Sequence, residues 1–165
     1  MERPSVRRLR EEIKQNKAFH DRAHAAALAL LRTADELRRS LDTLIAPHGV
    51  SAEQYNVLRI LRGAGEAGLP TLDIAARLLE RNPGITRLID KLEAKQFVAR
   101  RRCTKDRRQV FCTITPAGAS LINELDEPAR QANKHMFRGL TGAQADLLID
   151  LLDRVRYPES DPNKD

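Results

Sequence analysis

The stretch that most constrains this chain is Leu72 to Gly118, LDIAARLLERNPGITRLIDKLEAKQFVARRRCTKDRRQVFCTITPAG, because its hydrophobic period changes partway along. Ile85, Leu88, Ile89 and Leu92 recur at i, i+3, i+4 and i+7, which predicts a helix with one buried face. Gly84, Thr86, Arg87, Asp90 and Lys91 are left facing outward. Ahead of this helix Thr71 is placed to cap a shorter one over 72–79. After a brief ERN, Asn82 is placed to cap the second, with Pro83 in its first turn. Beyond about Lys95 the period drops to that of strands: FVARRR and QVFCTIT flank a polar CTKDR, as in a hairpin with a long exposed tip.

Two short helices joined by a tight turn and followed at once by a two-stranded hairpin is the order of a winged helix-turn-helix. The hairpin then explains an otherwise costly cluster. Arg100, Arg101, Arg102, Lys105, Arg107 and Arg108 repel one another at close range, so a compensating anion is expected. A basic run in isolation is most often solvated surface, but this one sits where a wing would meet phosphates and a narrow minor groove. The net charge of +6 points the same way.

The rest of the 165-residue chain reads as helical, the usual size of one domain. The first twenty residues are charge-rich, with Val6, Leu9 and Ile13 at helical spacing, and are expected to form a short helix or mobile arm within 1–22. A long helix is expected over 23–46, stopped by Pro47, and SAEQ at Ser51 to Gln54 reads as a capping box for a helix over 52–62 ended by Gly63, Gly65 and Gly68. Thr115 and Pro116 open a further helix that Pro128 should kink or break. TGAQ at Thr141 to Gln144 is a second capping box, before a helix with Leu147, Leu148, Leu151, Leu152 and Val155 on one side. Residues 158–165 are expected to be a disordered tail. With no long apolar run and no signal peptide, a cytoplasmic location is expected.

The segment Leu72 to Ile122 resembles the core of the MarR (multiple antibiotic resistance regulator) family of winged-helix transcription factors. The resemblance rests on the Ala75 to Ile85 spacing across the turn, TRLIDKLEA at Thr86 to Ala94, Asp106-x-Arg108 in the wing and ITPAG at Ile114 to Gly118. It covers about the last 130 residues and implies one domain over 23–157: a winged helix-turn-helix over about 52–115, and N- and C-terminal dimerisation helices over about 23–46 and 116–157. The fold class is therefore mainly α with a small β-hairpin wing. The apolar stripes of the terminal helices suit a shared dimer core or packing within one subunit equally well.

The resemblance further implies a homodimer on double-stranded DNA at a pseudopalindromic operator, often a repressor, and often released by a small aromatic or anionic ligand. Carried over residue by residue, Gly84, Thr86, Arg87 and Lys91 contact DNA from the recognition helix, while in the wing Arg102, Lys105 and Arg107 are placed by the basic cluster itself to meet DNA. Arg108 enters the minor groove and Asp106 orients the wing. By rough family geometry His24, Tyr55 and Arg59 are ligand-pocket candidates. The chain departs from the family at Leu79, Asn82-Pro83 and Gln96, the last standing where Gly precedes the first strand.

Other function classes stay open. An effector-independent architectural or protein-interaction winged helix fits the same order of elements. A redox regulator would use Cys103, with Cys112 nearby across the hairpin and arginines favouring thiolate, although Cys112 also reads as a small apolar strand residue. The four histidines are scattered and no catalytic triad, HExxH or phosphate loop occurs, so no enzyme, cofactor or metal is expected. His20 and His24, one helical turn apart, read as a solvated pair.

Overall fold

The computed structural model describes residues 3–80, 84–102 and 110–158. Among the described residues seven α-helices and three strands follow one another: α1 (Pro4–Glu12), α2 (Arg22–Ile45), α3 (Ala52–Ala64), β1 (Leu69–Pro70), α4 (Thr71–Arg77), α5 (Ile85–Ala94), β2 (Val98–Arg102), β3 (Val110–Ile114), α6 (Pro116–Met136) and α7 (Gly142–Arg156). Asn82, Pro83, the hairpin tip 103–109 and the tail 159–165 lie outside the described residues.

Local sequence sets most of the boundaries. Both capping boxes form: Ser51 and Gln54 exchange side-chain and backbone bonds at the start of α3, and Thr141 and Gln144 do so at α7. Thr115 accepts from the Gly118 backbone N–H and so caps α6, with Pro116 in the first turn. Such a cap contributes about 1 kcal/mol by satisfying an otherwise orphaned donor. The N-terminal arm is helical over α1, where Leu9 is buried.

Three expectations are corrected. Gly63 does not end α3, which runs through it to Ala64. The helix expected over 72–79 is α4, Thr71–Arg77, and Thr71 does not cap it: its hydroxyl donates instead to the Val110 carbonyl at 3.4 Å, across to the hairpin. Pro128 does not break α6, which is continuous from Pro116 to Met136. The turn before it is held by buried Leu121, Ile122 and Leu125, and Arg130 and Gln131 both donate to Glu127 across the proline. The expected hairpin forms from β2 and β3, and a third strand joins it: Leu69 and Pro70 pair antiparallel with Cys112 and Phe111, giving the sheet order β1-β3-β2.

The core gathers around α3. Val57, Leu58 and Leu61 pack with Ile74 of α4, Ile89 and Leu92 of α5, Val98 and Cys112 of the sheet, and Ile122 and Leu125 of α6. Each such Leu or Ile contributes roughly 1.5–3 kcal/mol by leaving water. Two glycines let backbones meet inside this shell. Gly68 has φ +67, and a Cβ there would overlap the Cys112 carbonyl, so β1 lies directly on β3. A Cβ on Gly118 would overlap the Phe97 carbonyl oxygen, so the first turn of α6 presses on the base of the wing with no side chain between.

Candidate nucleic-acid interface

Helix α5 is sorted by its period. Ile85, Ile89 and Leu92 are buried and Leu88 is half-buried, while Thr86, Arg87, Asp90 and Lys91 are exposed. Gly84 is the residue that enters the helix. Asp90 pairs with Arg100 rather than with Arg87, and Arg87 makes no ion pair among the described residues. The outward row Thr86, Arg87 and Lys91 is therefore a polar, cationic surface about the width of a helix face. After α5 the chain turns at Gln96, whose φ of 60° is the left-handed geometry usually left to Gly. Thr115 stabilises that turn by donating its hydroxyl to the Gln96 carbonyl at 2.6 Å.

The basic cluster divides when the strands are laid out. Arg100 shares a strand face with buried Val98 and turns inward: its Nη2 donates to Asp90 at 2.5 Å and to the Thr86 carbonyl at 3.4 Å, and its Nε lies 3.6 Å from Glu93. It forms a strut between the wing and α5. Arg101 lies over the Phe111 ring at 5.0 Å and donates to the Ala67 carbonyl at 3.0 Å. Arg102, at the end of β2, is exposed. Lys105, Asp106, Arg107 and Arg108 lie outside the described residues, as does Cys103.

Cys112 is fully buried, and its neighbours across the sheet are Leu69 and Arg100. Burial pushes its thiol pKa up, outweighing the opposing effects of the Thr71 hydroxyl and Arg100. Arg100 acts in the expected direction but burial prevails, and a protonated buried thiol is a poor oxidant sensor.

A cavity of about 670 Å³ opens between α2, α3, α6 and the residues after α4. Leu37, Leu41, Leu44, Leu78 and Leu79 supply apolar lining. Tyr55 and Arg59 are both on its wall, with the Arg59 guanidinium over the Tyr55 ring at 5.9 Å, and burial raises the Tyr55 pKa. His24 is not on that wall: it sits in the first turn of α2, edge-on to Phe19 and stacked on His20 at 5.7 Å. Among the lining residues not anticipated, Arg38 and Glu80 form an ion pair at the rim, and Asn56 Oδ1 is buried with no hydrogen-bond partner among the described residues. A size of this order suits a small organic ligand.

One surface is left uncovered. None of the residues of α7 is buried, and Leu147, Ile149, Leu151 and Val155 are 56%, 61%, 47% and 69% exposed. Leu30 and Leu31 on α2 are also exposed. Among the described residues, no helix is long and apolar enough to cross a membrane and no group of three or more His, Cys, Asp or Glu could hold a metal ion.

A helix-turn-helix with an outward cationic helix, flanked by an arginine-bearing hairpin, defines a winged-helix DNA-binding protein. The chain belongs to the MarR family: the family model matches residues 50–110, the span from α3 to the start of β3. A MarR transcription factor from Planctomyces limnophilus is 36% identical, with TM-score 0.64, over 82% of this chain and 98% of that one. The HTH-type transcriptional regulator MhqR of Bacillus subtilis (strain 168) is 27% identical over 78% of this chain and 87% of its own length. Bordetella bronchiseptica BpsR, whose structure is described as a mechanism for regulation of DNA binding by 6-hydroxynicotinic acid, is 25% identical with TM-score 0.70, over 79% of this chain and 98% of that one. The protein is thus a DNA-binding transcription regulator and not an enzyme.

Proposed function

We propose that the protein is a cytoplasmic homodimeric repressor that binds a pseudopalindromic operator and is released by a small aromatic or anionic ligand. The observation that carries the reading is the sorting of α5: its apolar residues are buried in its own chain while Thr86, Arg87 and Lys91 face out together. With α5 in a major groove, Arg87 is suited to guanine O6 and N7, and Gly84, Thr86 and Lys91 to bases and backbone. Arg102 leads into the tip, where Lys105, Arg107 and Arg108 meet phosphates and the minor groove and Asp106 orients them.

Dimerisation through α2, α6 and α7 would cover the exposed leucines of α7, and two-fold symmetry would set two α5 helices about one DNA turn apart. The effector would enter the 670 Å³ cavity, where Tyr55 and Arg59 offer a ring and a cation and Asn56 Oδ1 offers an acceptor to a hydroxyl or N–H. BpsR answers to a hydroxylated aromatic acid, which has these groups. His24 then serves the N-terminal end of α2 rather than the ligand.

Selection of bound duplexes from a random DNA pool at two salt concentrations tests this directly. An inverted repeat whose affinity falls steeply with salt is expected. Recovery of unpatterned DNA alone would replace the regulator reading with that of an architectural winged helix.

A further inference from the structure

The rim of the cavity is charged where its interior is apolar. Arg38 on α2 stands among the carboxylates of Asp42, Glu53 and Glu80. Its Nη2 donates to Glu80 Oε1 at 2.5 Å, and that bond is the largest influence raising the Arg38 pKa, ahead of Asp35 and Asp42 on its own helix. The partners are 42 residues apart in sequence. Glu80 follows Leu78 and Leu79, which line the same cavity, and precedes Ile85, the first residue of α5, by five positions. The pair therefore ties α2 to the segment that leads into the recognition helix.

We propose that Glu80 is a built-in occupant of an anion site at Arg38, that a carboxylate ligand in the cavity takes Arg38 from it, and that loss of the tie lowers DNA affinity. This rests on the effector reading above. Both side chains are more than half exposed, 53% and 61%, and exposed pairs of this kind hold by a factor of about five or less. An aromatic acid brings a driving force that Glu80 lacks, burial of its ring against Leu37, Leu41 and Leu44. A cationic ligand is less suited, because Glu53 is already held by the Ser51 hydroxyl at 2.7 Å.

The test compares benzoate, neutral benzamide and cationic benzamidine, three ligands of nearly one shape. Operator affinity is measured by fluorescence anisotropy for the wild type, Arg38→Gln, Glu80→Gln and the double variant, with melting curves to confirm folding. Benzoate is expected to weaken operator binding by the wild type and benzamide not to. Glu80→Gln should bind operator about 2–5-fold more weakly without ligand and respond at lower benzoate, since its competitor is gone. Arg38→Gln should be equally weakened and blind to benzoate, and the double variant no weaker than either single one.

Equal benzoate responses in the wild type and Arg38→Gln, additive effects of the two substitutions, or release by benzamidine instead would each overturn the proposal. Normal operator binding that none of the three compounds alters would overturn it while leaving the DNA-binding reading intact. If no operator is bound, that reading fails first, and the anion site is judged by whether benzoate raises the melting temperature of the wild type but not of Arg38→Gln.

Discussion

Helices α5 and α7 carry the same kind of apolar pattern and use it in opposite ways. The ten residues of α5 bury Ile85, Ile89 and Leu92 inside their own chain, whereas the fifteen residues of α7 bury nothing. The core of the DNA-reading half is thus complete within one polypeptide, whereas the C-terminal helix leaves its apolar residues exposed there. A period on a helix says that a face wants to leave water. It does not say whose surface will cover it.

The sharpest way to break this contrast is to place charge on α7. Leu147→Asp with Leu151→Asp should leave the α3–α5 core folded by circular dichroism yet turn a dimer into a monomer in sedimentation velocity. Operator affinity should then fall about a hundredfold or more, because two half-sites are no longer read together. A dimer that survives both charges would move the interface elsewhere. On the other side of the contrast, Ile89→Ala should lower the stability of the folded chain by about 2–5 kcal/mol, seen as an earlier denaturant midpoint, since it empties a buried site.

Within the DNA-reading half the arginines separate by salt dependence. Arg87→Ala is expected to cost about 1–3 kcal/mol of operator binding and to relax preference at one position of each half-site. Arg102→Ala should flatten the slope of log affinity against log salt by about one per subunit if it neutralises a phosphate. Arg100→Gln should weaken binding with the slope unchanged, because it removes a strut to Asp90 and not a phosphate contact. A slope change on Arg100→Gln would return that residue to the DNA face.

The smallest effect concerns the tie between α3 and α6. Arg62 Nη1 and Nη2 both donate to Asp126, and Nη1 also reaches Asn123 at 3.3 Å. Those bonds hold the Asp126 pKa below its ordinary value. A depressed carboxylate pKa stabilises the fold above the unfolded value of about 4 and loses that contribution as pH falls through the folded value. Asp126→Asn should therefore be less stable at pH 7, by about half a kcal/mol or less given the exposure of Asp126, and indistinguishable from the wild type near pH 2.

Caps and periods carried most of the fold in advance. Ser51, Gln54, Thr115, Thr141 and Gln144 mark helix starts by bonds to residues three positions away, so they are legible without tertiary knowledge. What escaped was non-local. β1 is two residues long and is a strand only because β3 lies beside it, and the Thr71 hydroxyl looks like a cap until Val110 takes it. Arg100 was grouped with the wing cations by its neighbours in sequence, yet strand alternation from buried Val98 already put it on the inner face. Arg38 and Glu80 gave no local signal, because each is an ordinary surface charge until the fold brings positions 42 apart into contact.

The glycine at the start of α6 has a mechanical meaning. With only a hydrogen at position 118, the helix that walls the cavity seats directly on the Phe97 carbonyl, and Thr115 N–H bonds that same oxygen at 3.0 Å. Such a seat has no side chain to compress or rotate, so α6 behaves there as a lever on a hard fulcrum. A tilt imposed at Ala129 or Ala132, on the cavity wall, would pivot at Gly118 and bear on the Phe97 carbonyl with no side chain between to take it up.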